Sequence, residues 1–294
     1  MDSINIHQDV QELLEELNEI GLSLIFGGYL RGLYFDEVPN DVDIVTNIPI
    51  EVLEQKYSHY EKAKRRTTTS GHDVFSFKMH KTAKIFVEIV ATKSNPFDKS
   101  SQADYTLNSF LYDGKKLIDE QNGLDDIKNK IIREVDEEII KNDLKTRPYL
   151  WLKTLRLASM TGFKISRETF RVLNKNKDCI NEISREIKQA EGHKTMNGKN
   201  PFAAIGLLAI MGLVAPLKAI DITIDASLQQ HQKLCLLAVL SNKQTIDDYV
   251  KFYCFQQDLI DKYEHLYKLY HSDERPPSRF RNQIITIKKL VETL

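Results

Sequence analysis

Residues 22–46 read LSLIFGGYLRGLYFDEVPNDVDIVT, and this stretch decides the predicted fold. Its first five residues form a short apolar run, which is typical of a buried strand and stops at Gly27 and Gly28. Leu30–Phe35 are predicted to form a helical turn. Polar and apolar residues then alternate over Asp41–Val45, as they do in a half-buried strand. This order of strand, glycine turn and second strand predicts a mixed α and β domain at the N-terminus.

Two aspartates on the second strand form the first candidate site. Asp41 and Asp43 are two positions apart, so their side chains leave the same face of a strand. Such paired carboxylates suit Mg²⁺, which prefers oxygen ligands and usually completes its shell with substrate phosphates. Glu88 lies inside the apolar run Ile85–Val90, where an unpaired buried carboxylate is costly and a metal is one partner that removes the cost. The alternative is a surface D-x-D with an edge-strand glutamate.

The glycine pair makes this pattern more specific. Glycines between a strand and a helical turn let backbone N–H groups approach a phosphate. Gly28 lies 13 residues before Asp41, which places a phosphate cradle beside a metal site. Phosphoryl transfer requires this layout, because metal ions clamp a triphosphate and activate an attacking hydroxyl. The sequence therefore predicts phosphoryl-transfer chemistry with Mg²⁺ as the cofactor.

Charge divides unequally along the chain. The 294 residues sum to a net charge of −1, which excludes a uniformly basic nucleic-acid coat. Residues 1–60 nevertheless hold 12 acidic side chains against Arg31 and Lys56, a net charge of −10, and residues 61–294 have a net charge of +9. An acidic front suits a metal site, and a basic remainder suits a polyanionic partner.

Other features of the sequence exclude several classes of protein. Cys179, Cys235 and Cys254 have no CxxC spacing, which argues against a disulfide framework and a structural zinc. The first 20 residues are typical of an acidic amphipathic helix rather than a signal peptide. The apolar stretch Phe202–Val214 is shorter than the roughly 20 residues that span a bilayer. We expect a cytoplasmic protein with no membrane partner.

Five segments share their order and spacing with one enzyme family. They are GGYLRGLYFDEVPNDVDIVTN (27–47), ADYTLNSFLYD (103–113), KLID with GLDDIKNKIIR (116–133), LKTLRLASMTGFKIS (152–166) and NPFAAIGLLAIMGLVAP (200–216). Together they resemble the head, neck and body motifs of tRNA nucleotidyltransferases (CCA-adding enzymes) and bacterial poly(A) polymerases. The resemblance covers roughly residues 20–217.

The resemblance implies a fold class and a division into domains. The class is α+β, in which a nucleotidyltransferase head with a small mixed sheet precedes an all-helical neck, body and shortened tail. Residues 1–135 would form the head, 136–217 the helical neck and body that bind nucleotide and RNA, and 218–294 the C-terminal body and tail.

The resemblance also assigns roles to individual residues. Asp41 and Asp43 would be catalytic metal ligands, and Glu88 the third catalytic carboxylate. The implied nucleotide-binding residues are Gly27, Gly28, Arg31, Asp104, Thr106, Asn108, Arg147, Lys153 and Arg156. For Thr106 and Asn108, helix capping is the alternative. The basic run Lys62–Arg66 is predicted to lead into a flexible loop, Thr67–Ser70, that meets RNA phosphates, and the basic helix Arg279–Leu294 is a second candidate for RNA contact.

The chain departs from the family pattern at the position that reads the base. The family's EDxxR motif presents an aspartate and an arginine to a base edge, but Thr146–Leu150 stand there as TRPYL. Arg147 or Lys153 is the candidate substitute, or nucleotide choice is relaxed. Tyr149 and Trp151 are candidates for stacking on a base, although a tryptophan among leucines is more often a core residue. In addition, Gly32 replaces the acid of the head motif, and Gln102-Ala103 replace an arginine pair.

Three functions follow as hypotheses. The first is a Mg²⁺-dependent nucleotidyltransferase that adds CMP and AMP from CTP and ATP to an RNA 3′ end, in tRNA CCA addition or repair. The second is a transferase of the same fold with poly(A)-type activity or with a protein or small molecule as acceptor. The third is a non-catalytic RNA-binding relative.

Overall fold

The computed structural model describes residues 5–35, 38–68, 71–80, 84–216, 224 and 227–293. Backbone contacts divide the chain into two compact units. The first comprises residues 1–129 and 133–139, and the second comprises residues 130–132 and 140–294. Residue 217, the second predicted domain boundary, lies outside the described residues, so the division of the helical part at that point stays a prediction.

The first unit is built on a mixed sheet. Its elements are α1 (Gln8–Asn18), β1 (Ser23–Phe26), α2 (Gly28–Tyr34), β2 (Asp41–Thr46), α3 (Ile50–Tyr57), β3 (Glu61–Thr67), β4 (Asp73–His80), β5 (Lys84–Ala91), β6 (Leu111–Tyr112), β7 (Leu117–Ile118) and α4 (Gly123–Asn129). The seven strands pair in the order β3-β4-β5-β2-β1-β6-β7. In this sheet β2 and β5 run parallel, and the other pairs are antiparallel. The predicted α+β class is confirmed.

Alternation at the start of β2 separates buried side chains from the carboxylates. Val42 and Ile44 of β2 are fully buried, whereas Asp41 is exposed on the other face. Tyr57 of α3 stacks on Phe77 of β4 with 5.3 Å between the ring centroids, so α3 covers the core face. The carboxylates of β2 therefore lie on the face opposite α3.

The basic run Lys62–Arg66 lies on the strand β3, which also includes Thr67, the first residue of the predicted flexible loop. This run of charged residues suits the edge of a sheet, where charge prevents pairing with other chains. The register shifts between Glu61 and Lys64, which marks a β-bulge, and Lys62 has a φ of 58°. Beyond the bulge Lys64 lies opposite Ser76 of β4. Residues 69–70 of the expected loop lie outside the described residues.

The second unit, with the segment that leads into it, is almost entirely helical. Its elements are β8 (Ile131–Ile132), α5 (Glu137–Thr146), α6 (Leu150–Thr161), β9 (Lys164–Ile165), α7 (Arg167–Lys175), α8 (Arg185–Met196), α9 (Pro201–Ile210), α10 (Gln230–Leu240), α11 (Lys243–Phe252), α12 (Gln257–Tyr270) and α13 (Ser278–Thr293). The short parallel pair β8–β9 was not predicted. The helix expected over Phe202–Val214 ends earlier, because the chain turns at Gly212, whose φ is 74°. No helix in the described ranges is both long and apolar enough to cross a membrane.

Candidate active site

Three carboxylates share one face of the sheet in the first unit. Asp41 and Asp43 lie on β2, and Glu88 of β5 lies opposite Asp43 in the parallel register. Residues opposite each other on paired strands direct their side chains to the same face, and neighbouring strands are about 4.8 Å apart. Strand pairing alone therefore brings the three predicted catalytic acids together.

Glu88 is held by an arginine from the edge of the sheet. Arg66 of β3 donates a hydrogen bond to Oε1 of Glu88 at 2.7 Å, and the Glu88 side chain is 30% exposed. Glu88 was expected to be buried and to need a partner, such as a metal; its side chain is instead partly exposed, and Arg66 is its partner. The register of β3 supplies the partner, and local periodicity around Glu88 carries no information about that register.

The carboxylates fit a cation that binds together with a nucleotide. Asp41 is exposed and Asp43 is half-buried. Within the described ranges, no group of three or more His, Cys, Asp or Glu side chains is arranged to hold a metal ion. Mg²⁺ needs only one or two carboxylates when substrate phosphates complete its shell. Asp41 and Asp43 meet this requirement, while Arg66 engages Glu88.

The glycine turn leaves room beside the carboxylates. Gly27 has a φ of 76°, a conformation that residues with a side chain rarely adopt. A Cβ on Gly27 would lie 3.8 Å from Oδ2 of Asp43, and a Cβ on Gly28 would lie 3.5 Å from a guanidinium nitrogen of Arg31. Because both positions lack side chains, the backbone of the turn stays open between an acid and a cation.

A chain of hydrogen bonds runs from Arg31 to two of the other predicted residues. Nη1 of Arg31 donates to Oδ1 of Asn108, and Nδ2 of Asn108 donates to Oδ1 of Asp104 at 2.8 Å. Asp104 and Asn108 are buried, and neither caps the 3-10 turn over residues 106–108. Their geometry therefore suits them to orient Arg31 rather than to touch a ligand themselves.

Thr106 has a buried, hydrogen-bonded position in the first unit. Its side chain is 3% exposed, and its hydroxyl donates to Oδ2 of Asp126 at 2.8 Å. Nε of Arg133 donates to the same carboxylate at 3.1 Å. This bond stabilises the loop that Thr106 ties to α4, and the assignment of Thr106 as a nucleotide-binding residue stays a prediction.

Two predicted cations of the second unit, Arg147 and Arg156, have acidic partners inside that unit. Nε of Arg156 donates to Oε2 of Glu191 at 2.8 Å, and the Glu191 side chain is only 10% exposed. Arg147 forms an ion pair with Asp143, one helical turn earlier. Arg156 thus supports packing, and its assignment as a nucleotide contact stays a prediction. Lys153 is half-buried on α6, and its role also stays a prediction.

The aromatic candidates for stacking differ in exposure. Trp151 is fully buried, and its indole N–H donates to the carbonyl of Leu173 at 3.0 Å. It therefore belongs to the core of the second unit. Tyr149 is 37% exposed and stays a candidate for stacking.

Arg66 and Asp126 support residues of the predicted site, and neither contact was predicted from the sequence. Asp126 lies in the segment that carries the family resemblance, so its motif was a usable signal. Arg66 lies in a basic run that favours solvent contact, and nothing local to it indicates Glu88 as its partner.

The head of this chain matches a known family. Residues 23–133 match the poly A polymerase head domain. Among curated proteins, the CCA-adding enzyme of Ligilactobacillus salivarius is 28% identical over 206 residues, which are 64% of this chain and 49% of that protein. The CCA-adding enzyme of Bacillus pumilus is 25% identical over 71% of this chain and 54% of its own length. The chain thus spans about half the length of the curated relatives that it matches.

Solved structures share the fold over most of the chain. The Bacillus stearothermophilus CCA-adding enzyme in complex with CTP matches with a TM-score of 0.70 and 18% identity, over 98% of this chain and 80% of that one. The Thermotoga maritima CCA-adding enzyme complexed with tRNA matches with a TM-score of 0.60 and 16% identity, over 90% and 70% of the two chains.

Proposed function

We propose that the protein is a nucleotidyltransferase that extends an RNA 3′ end, because residues 23–133 match the poly A polymerase head domain. The donors are CTP and ATP, and the acceptor is a tRNA whose terminal CCA is added or repaired. The names of the curated relatives support this acceptor. Solved relatives in complex with CTP, with ATP and with tRNA support the donors and the acceptor.

The reaction is a displacement at the α-phosphate of the donor. The 3′ oxygen of the RNA forms a bond to the α-phosphorus, the bond from that phosphorus to the bridging oxygen breaks, and pyrophosphate leaves. Asp41 and Asp43 would hold a divalent cation, which would supply charge neutralisation at the triphosphate and activation of the hydroxyl.

The remaining groups of the site bind and orient the reactants. Arg31, held by Asn108, contacts the phosphates that enter the open turn at Gly27 and Gly28. Glu88 is held through Oε1 by Arg66, which leaves Oε2 to accept the proton of the attacking hydroxyl. The single observation that carries the proposal is the placement of Asp41, Asp43 and Glu88 on one face beside this turn.

Base selection follows a different scheme from that of the family motif. The segment Thr146–Leu150 holds no acid, and Arg147 is paired with Asp143. We expect weak discrimination between CTP and ATP, with Tyr149 in this segment and Lys153 three residues beyond it as the candidate base contacts. The same departure favours a second candidate function, nucleotidyl transfer to a different acceptor.

One experiment separates these functions. The protein is incubated with Mg²⁺ and each labelled nucleoside triphosphate in turn, together with tRNA lacking CCA, with a poly(A) primer, or with no RNA. The matched variants are Asp41→Asn, which removes a metal ligand, and Asp258→Asn, which removes an exposed acid paired with Lys262 in the second unit. EDTA replaces Mg²⁺ in a parallel reaction.

The outcomes are distinct. Extension of tRNA that Asp41→Asn and EDTA abolish, and that Asp258→Asn preserves, supports CCA addition. Extension of the poly(A) primer alone supports a poly(A)-type enzyme, and label transfer without RNA supports another acceptor. Absence of transfer in every reaction, from protein that is folded, overturns the assignment as an enzyme.

A further inference from the structure

The carboxylate face of the sheet continues past Glu88 into a basic edge, which consists of Lys64 and Arg66 of β3 and Lys78 of β4. We propose that this basic edge binds the phosphate backbone of the acceptor RNA just upstream of its 3′ hydroxyl. The inference rests on the proposed function, because it concerns the acceptor strand of that same reaction.

Strand register connects the basic edge to the carboxylates. Lys64 lies opposite Ser76, Ser76 opposite Glu88, and Glu88 opposite Asp43. The four side chains therefore lie in one row on one face. Three strand spacings separate Lys64 from Asp43, or about 14 Å. This distance corresponds to about four stacked nucleotides at the rise of 3.4 Å per nucleotide. A strand whose last nucleotide reaches Asp43 would thus place upstream phosphates at Lys64.

A second row carries an aromatic surface. Lys78 lies opposite Phe86, and Phe86 lies opposite Asp41, again on the carboxylate face. Phe86 is half-buried, so part of its ring is accessible beside the acids. Single-stranded nucleic acids bind where cations follow the backbone and aromatic rings take the bases. The row from Asp41 through Phe86 to Lys78 has this composition.

The cations on the two faces of β3 differ in their ion-pair partners. Arg65, on the opposite face, lies within 3.2 Å of Glu51, 3.5 Å of Glu54 and 3.8 Å of Asp73. Lys64 and Lys78 form no ion pair with any acid in the described part of the chain. Protection of the strand edge accounts for charge on β3, but not for two lysines that have no ion pair among the described residues and lie on one face with the Arg66–Glu88 pair. Lys64 and Lys78 therefore leave positive charge available on the face that carries the three carboxylates.

The salt dependence of RNA binding tests the basic edge. The probe is a short single-stranded RNA with a fluorescent 5′ end and a free 3′ hydroxyl, and affinity is measured by anisotropy from about 50 to about 200 mM salt. Each lost phosphate contact lowers the slope of log K against log salt by about 0.7. The double variant K64Q/K78Q should therefore lose about 1.4 from the slope. Over this fourfold change in salt, its affinity should fall about sevenfold less than that of the wild type.

Arg65→Gln is the matched control, since it removes a cation of the same strand from the opposite face. It should leave the slope unchanged. Equal slopes for K64Q/K78Q and the wild type, or an equal loss of slope in Arg65→Gln, would overturn the inference.

Phe86 gives a second, independent readout. Phe86→Leu should weaken RNA binding at every salt concentration without changing the slope, and Phe86→Tyr should restore the affinity, because stacking needs a ring rather than charge. If the Phe86→Leu variant binds RNA as tightly as the Phe86→Tyr variant does, Phe86 is not part of the RNA-binding surface.

Steady-state kinetics separates the acceptor from the donor. K64Q/K78Q should raise KM for the RNA and leave KM for the nucleoside triphosphate unchanged. A rise confined to KM for the triphosphate would overturn the inference while leaving the transferase intact. Conversely, a wild type that binds RNA with the predicted slopes but transfers no nucleotide would retain the surface and reject the proposed function.

Discussion

Cations in the two units of this protein have different kinds of partner. In the first unit Arg66 bonds Glu88 on a face where both side chains are partly exposed, at 43% and 30%. In the second unit Arg156 bonds Glu191, and these side chains are only 18% and 10% exposed. An exposed pair exchanges its partners for ligand groups at little cost, whereas a buried pair loses stability when it is opened. Of these two pairs, Arg66–Glu88 is the one that a ligand can open at little cost, while Arg156–Glu191 supports packing.

Removal of a metal ligand should give the largest effect on this comparison. We expect Asp43→Asn to lower the rate of nucleotide addition by about a thousandfold or more, at the upper end of the loss seen when one stabilising group is removed from a transition state. The rate is measured in single turnovers with saturating RNA and nucleotide. Thermal unfolding of the variant should match that of the wild type, since Asp43 is only half-buried. A variant with normal rates would remove Asp43 from the site.

Removal of one partner from the buried Arg156–Glu191 pair should lower the stability of the fold rather than the rate of the reaction. Arg156→Ala leaves Glu191 without its main partner, and we expect the free energy of unfolding to fall by about 3 kcal/mol. Urea unfolding measures this loss. Glu191→Gln in the same background should recover part of it, because the buried charge is then gone. Unchanged stability with weakened nucleotide binding would instead make Arg156 a ligand contact.

Thr106 and Asn108 belong to one motif, but we expect the first to affect stability and the second to affect nucleotide binding. Thr106→Val removes a donor to the buried Asp126, and we expect a loss of about 1–2 kcal/mol in the free energy of unfolding with KM values unchanged. Asn108→Ala releases Arg31 and should raise KM for the nucleotide. Both variants are compared by urea unfolding and steady-state kinetics. A higher KM in Thr106→Val would show that its hydroxyl reaches the nucleotide.

The smallest effect should come from the residue that holds Glu88. Supporting residues that orient a catalytic carboxylate typically contribute about 10–100-fold, and we expect Arg66→Gln to lower kcat about tenfold at saturating RNA. Arg66→Lys should recover part of the rate. Arg65→Gln, on the opposite face, should change kcat very little. Equal kcat values for Arg66→Gln and Arg65→Gln would exclude a positioning role for Arg66.

Local sequence patterns were sufficient to predict features that depend on a single strand or a single helix. Alternation placed Asp41 and Asp43 on one face, and the apolar run around Glu88 predicted a strand that pairs beside them. Helical spacing likewise predicted α1, with apolar positions at Val10, Leu13, Leu14, Leu17 and Ile20. The first four are buried, whereas Ile20 lies beyond the end of the helix and is exposed. These predictions depend only on the periods of 2.0 and 3.6 residues that backbone geometry imposes.

Partners that are distant in the sequence were not predictable in this way. Arg66 and Glu88 are 22 residues apart, and Arg156 and Glu191 are 35 apart. Their meeting depends on strand register or helix packing, which local periodicity does not encode. The error about Glu88 has this origin, because its burial was inferred from its own strand while its partner came from the edge of the sheet.

The β-bulge between Glu61 and Lys64 sets which residues of β3 share the face of the carboxylates. Glu61 lies opposite Lys78 and Lys64 lies opposite Ser76, so three steps along β3 match two steps along β4. Without the extra residue, regular alternation would place Glu61 and Lys64 on opposite faces. Deletion of one residue at the bulge would restore regular pairing and keep Lys64 opposite Ser76, so the loss of a single codon there would leave Lys64 and Arg66 facing the carboxylates.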